Sequence, residues 1–127
     1  MTRLLLDTPV LLWVAGDSPR LSARARALID DPENEILFSV ASLWEVATKA
    51  ARGDFAVDAA ELRAGLLANG YAELTIQAPH VLQIARLPAI HRDPFDRLLV
   101  AQALEEKLTL LTSDPVVASY SAAILRV

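Results

Sequence analysis

The sequence predicts an α/β fold with a mainly parallel central sheet, and three observations lead there. Short apolar runs such as Leu4-Leu5-Leu6 and Ile36-Leu37-Phe38 lack the in-and-out alternation of a half-exposed strand, which is the pattern of strands covered on both faces. Segments with helical spacing of apolar residues separate these runs, so strands and helices alternate along the chain. Acids such as Asp7 and Asp114 stand at the carboxyl ends of the runs, where open α/β sheets form their sites.

Arg3 to Asp7 reads as a buried strand closed by a carboxylate. Thr8 and Pro9 then offer an N-cap and a first helical residue for a helix through Ala15, since proline fixes a helical φ and lacks only a donor that the first turn does not use. Gly16-Asp17-Ser18-Pro19 breaks the chain. Ser22 caps the next helix, whose apolar residues Leu21, Ala25, Leu28 and Ile29 share a face before Asp30-Asp31-Pro32 ends it. Ile36 to Phe38 is the second strand. Ser39 or Ser42 opens the following helix, which runs through Trp44, Val46 and Ala47 to Gly53, and Ser42-Leu43-Trp44-Glu45 has the form of a capping box.

Asp58 caps a helix with Ala59, Leu62, Leu66 and Leu67 on one face, stopped by Asn69-Gly70. Leu74-Thr75-Ile76 alternates as a third strand, and Pro79 to Leu87 is a short helix closed by Pro88. The longest helix starts at Asp93-Pro94 and reaches about Lys107. Thr109 to Thr112 is a strand ending at Ser113-Asp114-Pro115, and Ala123 to Val127 supplies a last one. Nothing is repetitive or linker-like, so residues 1–127 are expected to form one domain.

A hydrophobic content of 54% exceeds what a solitary domain of 127 residues ordinarily carries and leaves apolar surface for an interface between subunits. The absence of cysteine excludes disulfides and thiolate zinc sites. Leu4-Leu5-Leu6 and Val10 to Trp13 faintly resemble a signal sequence, but Asp7 interrupts them and no small-residue cleavage site follows. With no apolar run long enough to span a bilayer, a cytoplasmic location and no membrane association are expected. The net charge of −4 argues against nonspecific coating of nucleic acid but leaves room for an acidic site with a basic rim.

The most charged stretch, His91-Arg92-Asp93-Pro94-Phe95-Asp96-Arg97, is a helix start. Asp93 suits the N-cap and Pro94 the first turn, while Asp96 gains from the positive end of the helix. Taken alone, the stretch is explained by capping. Topology adds Asp7, Glu45 and Asp114 to the same rim, and two carboxylates about 5 Å apart repel by roughly 3 kcal/mol at an effective dielectric near 20. Such a cluster needs a cation. Oxygen donors without cysteine or a histidine pair point to Mg²⁺ or Mn²⁺ rather than zinc, ions that activate water and steady charge in phosphodiester cleavage.

Asp7-Thr8 with Leu11-Leu12-Trp13, Ser42-x-Trp44-Glu45-Val46-x-x-Lys49, Gly53, Leu87-Pro88, His91-x-Asp93-Pro94-Phe95-Asp96-Arg97, Ala101-Gln102-Ala103 and Leu111-Thr112-x-Asp114 together resemble a PIN-domain ribonuclease of the VapC toxin type. The likeness spans nearly the whole chain in order. It implies an α/β/α sandwich, a homodimer, an Mg²⁺-dependent endoribonuclease acting as the toxin of a type II toxin-antitoxin pair, and a VapB-like antitoxin partner that covers the site. By the same resemblance Asp7, Glu45, Asp96 and Asp114 are the metal-binding and catalytic acids. Asp93 is mainly the cap or an outer-shell acid. Pro9 replaces a histidine common among the relatives, and Pro115-Val116 follow Asp114 in place of a further acid, which leaves Ser113 or Thr112 as the nearest oxygen.

Arg97 and Lys49 are candidates for contacting RNA phosphate or balancing the acids, and His91 for touching substrate. Trp13 and Trp44 read as core or dimer-interface residues more than base-stacking platforms, His80 as a helix-start or surface residue, and Arg20, Arg24 and Arg26 as a basic strip or a solvated face. A phosphorelay receiver lacks its adjacent acid pair here, and a haloacid-dehalogenase-like phosphatase lacks Asp-x-Asp because position 9 is proline. A housekeeping RNA-processing nuclease and a catalytically silent interaction domain remain as alternatives.

Overall fold

The structure, a computed structural model, describes residues 2–54 and 56–127. In chain order the elements are β1 (Arg3–Leu6), α1 (Thr8–Ala15), α2 (Ala23–Asp30), β2 (Glu35–Ser39), α3 (Val40–Ala51), α4 (Ala59–Ala68), β3 (Ala72–Leu74), α5 (Ala78–Ile84), α6 (Pro94–Glu106), β4 (Thr109–Thr112), α7 (Pro115–Ala118) and β5 (Leu125–Arg126). The strands form one sheet in the order β3-β2-β1-β4-β5, with every neighbouring pair parallel.

Side chains that alternate along each strand feed two cores. Leu4, Leu6, Ile36, Phe38 and Leu111 point to one face and pack with Val10 and Leu11 of α1, Ala25 and Ile29 of α2, and Leu62 and Leu66 of α4. Leu5, Leu37 and Leu110 point to the other face, against Leu98, Leu99, Val100 and Ala103 of α6 and Val117 of α7. Helices thus cover both faces. The expected α/β class and its three-layer arrangement both hold, and the uninterrupted apolar strands have their physical cause in this double burial.

Several boundaries differ from those read in the sequence. Asp7, not Thr8, is the N-cap of α1, accepting from the Val10 amide at 3.0 Å. Ser39, not Ser42, caps α3 through a bond from the Ala41 amide at 2.9 Å, so Ser42 and Glu45 lie inside the helix and form no capping box. The third strand begins two residues earlier than expected, at Ala72. Gly70, at φ +87°, closes α4 with the Gly70 and Tyr71 amides bonded to Leu67 and Leu66 carbonyls, and this turn leads straight into the strand. Pro115 opens the short helix α7 where only a chain break was expected. The caps Ser22, Asp58 and Asp93 are as read.

Candidate metal centre

The strand order reverses between β1 and β4, because the chain builds outward from β1 through β2 and β3 and then adds β4 and β5 on the other side. That switch opens a crevice at the carboxyl ends of the two strands. Asp7 follows β1 and Asp114 follows β4. Asp7 is 2% exposed. One of its oxygens caps α1, and the other accepts from Thr112 Oγ1 at 2.6 Å. Thr112 Oγ1 in turn accepts from the Asp114 amide at 3.0 Å, so one hydroxyl joins the two acids. Asp114 itself caps α7 by accepting from the Val116 amide at 2.8 Å.

Glu45 reaches the crevice from α3 and Asp96 from the first turn of α6. Glu45 Oε2 accepts from Lys49 Nζ at 2.5 Å, one helical turn on, while Glu45 Oε1 is buried and has no hydrogen-bond partner among the described residues. The foot of α3 is tied to α1 by a bond from Thr8 Oγ1 to Ser42 Oγ at 2.9 Å, both residues being buried. Asp93 accepts from the Phe95 and Asp96 amides at 2.8 and 3.2 Å, which fixes the turn that presents Asp96. His91 Nε2 lies 3.5 Å from Asp96 Oδ2 and 3.5 Å from Asp114 Oδ2.

These acids also act on one another through their charge. Burial pushes the Asp7 carboxyl up to about 6 against the Thr112 and Val10 hydrogen bonds, and repulsion from Glu45 and Asp114 adds to it. Burial likewise raises Asp96 to about 7, with repulsion from Asp93, Asp7 and Glu45. Lys49 is raised by its bond to Glu45. An unpartnered buried carboxylate oxygen is costly, and here it sits among further acids. Among the described residues, the atoms spaced to share one ion are a His91 nitrogen and one oxygen each of Asp96 and Asp114, all within 4.8 Å of one another, while Asp7 and Glu45 bear on Asp96 through their charge.

The remaining candidates divide by what they touch. Asp93 is the cap and also bears on Asp96 and Lys49 through its charge. Arg97 turns away from the acids: its Nη1 donates to the Pro88 and His91 carbonyls and Tyr120 Oη at 3.1, 3.4 and 3.2 Å, and its Nη2 to the Ile84 carbonyl at 3.2 Å. No hydrogen bond of the Ser113 side chain is found among the described residues, and Thr112 occupies the place between the acids.

Trp44 is 52% exposed and outside the core, with its ring edge-on to Phe95 at a centroid distance of 4.7 Å, whereas Trp13 packs against the core. His80 does stand in the first turn of a helix, but it is fully buried rather than at the surface. Arg26 pairs with Asp17 at 2.9 Å, and Arg24 donates to the Arg126 carbonyl at 3.3 Å. The structure adds residues that the sequence reading did not assign: Tyr120, which accepts from the His91 amide at 2.7 Å, and Gln102, fully buried in α6. Neither carries a local signal, because each acts on a segment distant in sequence.

An α/β domain with acids gathered at the switch point of a parallel sheet is the class that fold and site define. Residues 4–122 match the PIN domain family, and the chain belongs to it. No curated protein matches the sequence. The fold is similar to VapBC2 from Rickettsia felis bound to a DNA fragment from their promoter, with a TM-score of 0.71 and 14% identity over 99% of this chain and 98% of that one. It is similar as well to FitAcB from Neisseria gonorrhoeae, at TM-score 0.67, 18% identity and coverage of 98% and 96%. VapBC-5 from Mycobacterium tuberculosis, a member of the VapBC family of toxin-antitoxin systems, gives 0.62 and 23% identity with 100% of each chain covered. At these identities the likeness establishes the fold.

Proposed function

We propose that the protein is an Mg²⁺-dependent endoribonuclease, with Mn²⁺ as a substitute, acting as the toxin of a toxin-antitoxin pair and inhibiting translation or growth. The observation that carries this reading is that Asp7, Glu45, Asp96 and Asp114 bear on one another through charge, with one buried carboxylate oxygen of Glu45 lacking a partner among the described residues. Members of the PIN family are nucleases, which gives that cluster its chemistry.

The four acids would hold the ion, which supplies Lewis-acid polarisation of the phosphate and activation of water. The chain's own contribution is preorganisation. Thr112 fixes the rotamer of Asp7, the Asp93 cap fixes the turn beneath Asp96, and the helix starts at α1 and α6 direct positive backbone ends toward the crevice. Lys49, one-third exposed beside Glu45, is the cation nearest the acids for a phosphate of the RNA.

The likeness to VapBC-5, a member of the VapBC family of toxin-antitoxin systems, supports a VapB-like antitoxin as partner. Exposed Val81 and Leu82 on α5, with 54% hydrophobic residues overall, support a homodimer. The deciding experiment is incubation of total RNA with purified protein, with and without EDTA, beside Asp96→Asn. Expected are discrete new 5′ ends with Mg²⁺ only in the wild type. Cleavage that persists in EDTA, or in the folded variant, overturns the assignment.

A further inference from the structure

We infer that His91 is a positioning residue of the acid cluster, a ring whose Nε2 stands between Asp96 and Asp114 and holds both carboxylates for the ion without itself being a ligand. The inference rests on the metal-dependent reading above and deepens it.

Distances alone suggest the opposite. One nitrogen of His91 and one oxygen each of Asp96 and Asp114 lie within 4.8 Å of one another, a spacing that a metal ion could bridge. Hydrogen placement decides otherwise. His91 Nδ1 accepts from the Asp93 backbone amide at 3.0 Å, and an amide nitrogen has no lone pair to offer in return. Nδ1 therefore keeps its own lone pair, and the ring hydrogen sits on Nε2. A ligating histidine needs the reverse arrangement, in which one nitrogen binds the metal and the other donates its hydrogen to an acceptor. Ligation through Nε2 would set an Nδ1–H against the Asp93 N–H, two donors facing each other.

His91 Nε2 instead lies 3.5 Å from one oxygen each of Asp96 and Asp114, an ion-pair distance to both carboxylates rather than one short bond. Asp96 rises from α6 and Asp114 from the β4 to α7 turn, so this ring links two elements. No other hydrogen bond to the Asp96 carboxylate is found among the described residues.

The backbone that carries the ring is tied down as well. The His91 amide donates to Tyr120 Oη at 2.7 Å, and the His91 carbonyl accepts from Tyr120 and from Arg97 at 3.3 and 3.4 Å. Arg97 and Tyr120 thus serve the site through His91, which explains why a conspicuous arginine beside Asp96 points elsewhere.

The test combines nitrogen NMR with calorimetry on the full chain. The protein contains two histidines, His80 and His91. His80 is an internal reference, since its Nδ1 also accepts from a backbone amide, that of Gln77, at 3.0 Å. In ¹H–¹⁵N long-range spectra at mildly alkaline pH, His91 is expected to show the Nε2–H tautomer both without metal and with saturating Mg²⁺. An Nδ1–H tautomer, or loss of the Nε2 hydrogen on Mg²⁺ addition, overturns the inference.

In titrations with Mg²⁺ and with Mn²⁺, His91→Leu should weaken both ions alike, by about 10–100-fold. His91→Gln, which keeps a donor near the same place, should recover most of that loss. Selective loss of Mn²⁺, with no recovery in His91→Gln, would make His91 a ligand and overturn the inference. If His91→Leu fails to fold, the wild-type spectra and the His91→Gln titration decide. Wild-type protein that binds neither ion removes the metal reading and this inference with it, whereas wild-type binding with unchanged affinity in folded His91→Leu removes this inference alone.

Discussion

Two polar groupings lie along α6, and they are built on opposite rules. At the start of the helix, Asp96 joins Asp7, Glu45 and Asp114, like charges with few donors between them and one orphaned oxygen. Farther along, Ser39 Oγ donates to Gln102 Oε1 at 2.5 Å, Gln102 Nε2 faces the Thr75 carbonyl and His80 Nδ1 at 3.4 Å each, and His80 Nε2 meets Glu106 at 2.8 Å. Each donor there has an acceptor, so the chain of bonds fastens β2, α5 and α6 together with no ligand. A satisfied buried network specifies a fold, while an unsatisfied one marks a place where the fold awaits a partner.

The comparison breaks most visibly at Asp7 and Asp96. Asp7→Asn and Asp96→Asn keep size and shape, and asparagine still caps α1. Each is expected to lower metal-dependent RNA cleavage by at least about 100-fold. Without metal, the melting temperature of Asp96→Asn should equal or exceed that of the wild type, because a repelled charge has gone. Loss of activity accompanied by a fall in apo stability would show that the acids serve the fold rather than the ion.

Gln102→Leu probes the other grouping. Leucine fills similar volume but strands the Ser39 hydroxyl hydrogen and removes the tie to Thr75 and His80. The expected cost is about 2 kcal/mol, or about 5–10 °C in melting temperature. Denaturant titration measures it, and the folded fraction should retain Mg²⁺ affinity within about threefold. A stability change near zero would mean that the network is not holding the helices.

These two groupings were not equally legible in the sequence. Asp93-Pro94 announces a helix start within four residues, and the acids at strand ends follow from alternation of strands and helices, so the site's outline was readable. Gln102 and Ser39 are 63 positions apart, and nothing near either residue forecasts their meeting. His80 was placed at a helix start by local pattern, but its burial depends on α6 packing over it. Ser42-x-x-Glu45 has the spacing of a capping box, yet Ser39 at the end of β2 took the cap because the strand ends there. Asp114-Pro115 carries the same cap and proline signal as Asp93-Pro94, but the helix it opens is a single turn, too short for apolar periodicity to reveal.

Stability against pH separates the groupings as well. Asp7 and Asp96 titrate near 6 and 7 in the folded protein against an ordinary value of 3.8. Between those values the folded state binds more protons than the unfolded state, so stability falls as pH rises. The penalty is absent below about 3.8 and complete above about 7. Without metal, the wild type should therefore lose on the order of 2 kcal/mol relative to Asp96→Asn between pH 5 and pH 8. Saturating Mg²⁺ should remove that difference by binding the ionised acids. A wild-type curve parallel to that of the variant would show that Asp96 is not crowded.

The smallest effect is expected at Asp93, which stands beside the acids but belongs to the fold. Its Oδ1 accepts from two backbone amides, a task that asparagine performs nearly as well. Asp93→Asn should therefore shift stability by less than about 0.5 kcal/mol and leave cleavage within about threefold of wild type, because the turn under Asp96 is kept. Asp93→Ala, which removes the cap, should cost about 1 kcal/mol and disturb Asp96 along with it. If Asp93→Asn instead abolished cleavage as completely as Asp96→Asn, the charge of Asp93 would belong with the acids of the crevice. The boundary between the charged cluster and the scaffold beneath it would then lie one helical turn earlier than the hydrogen bonds place it.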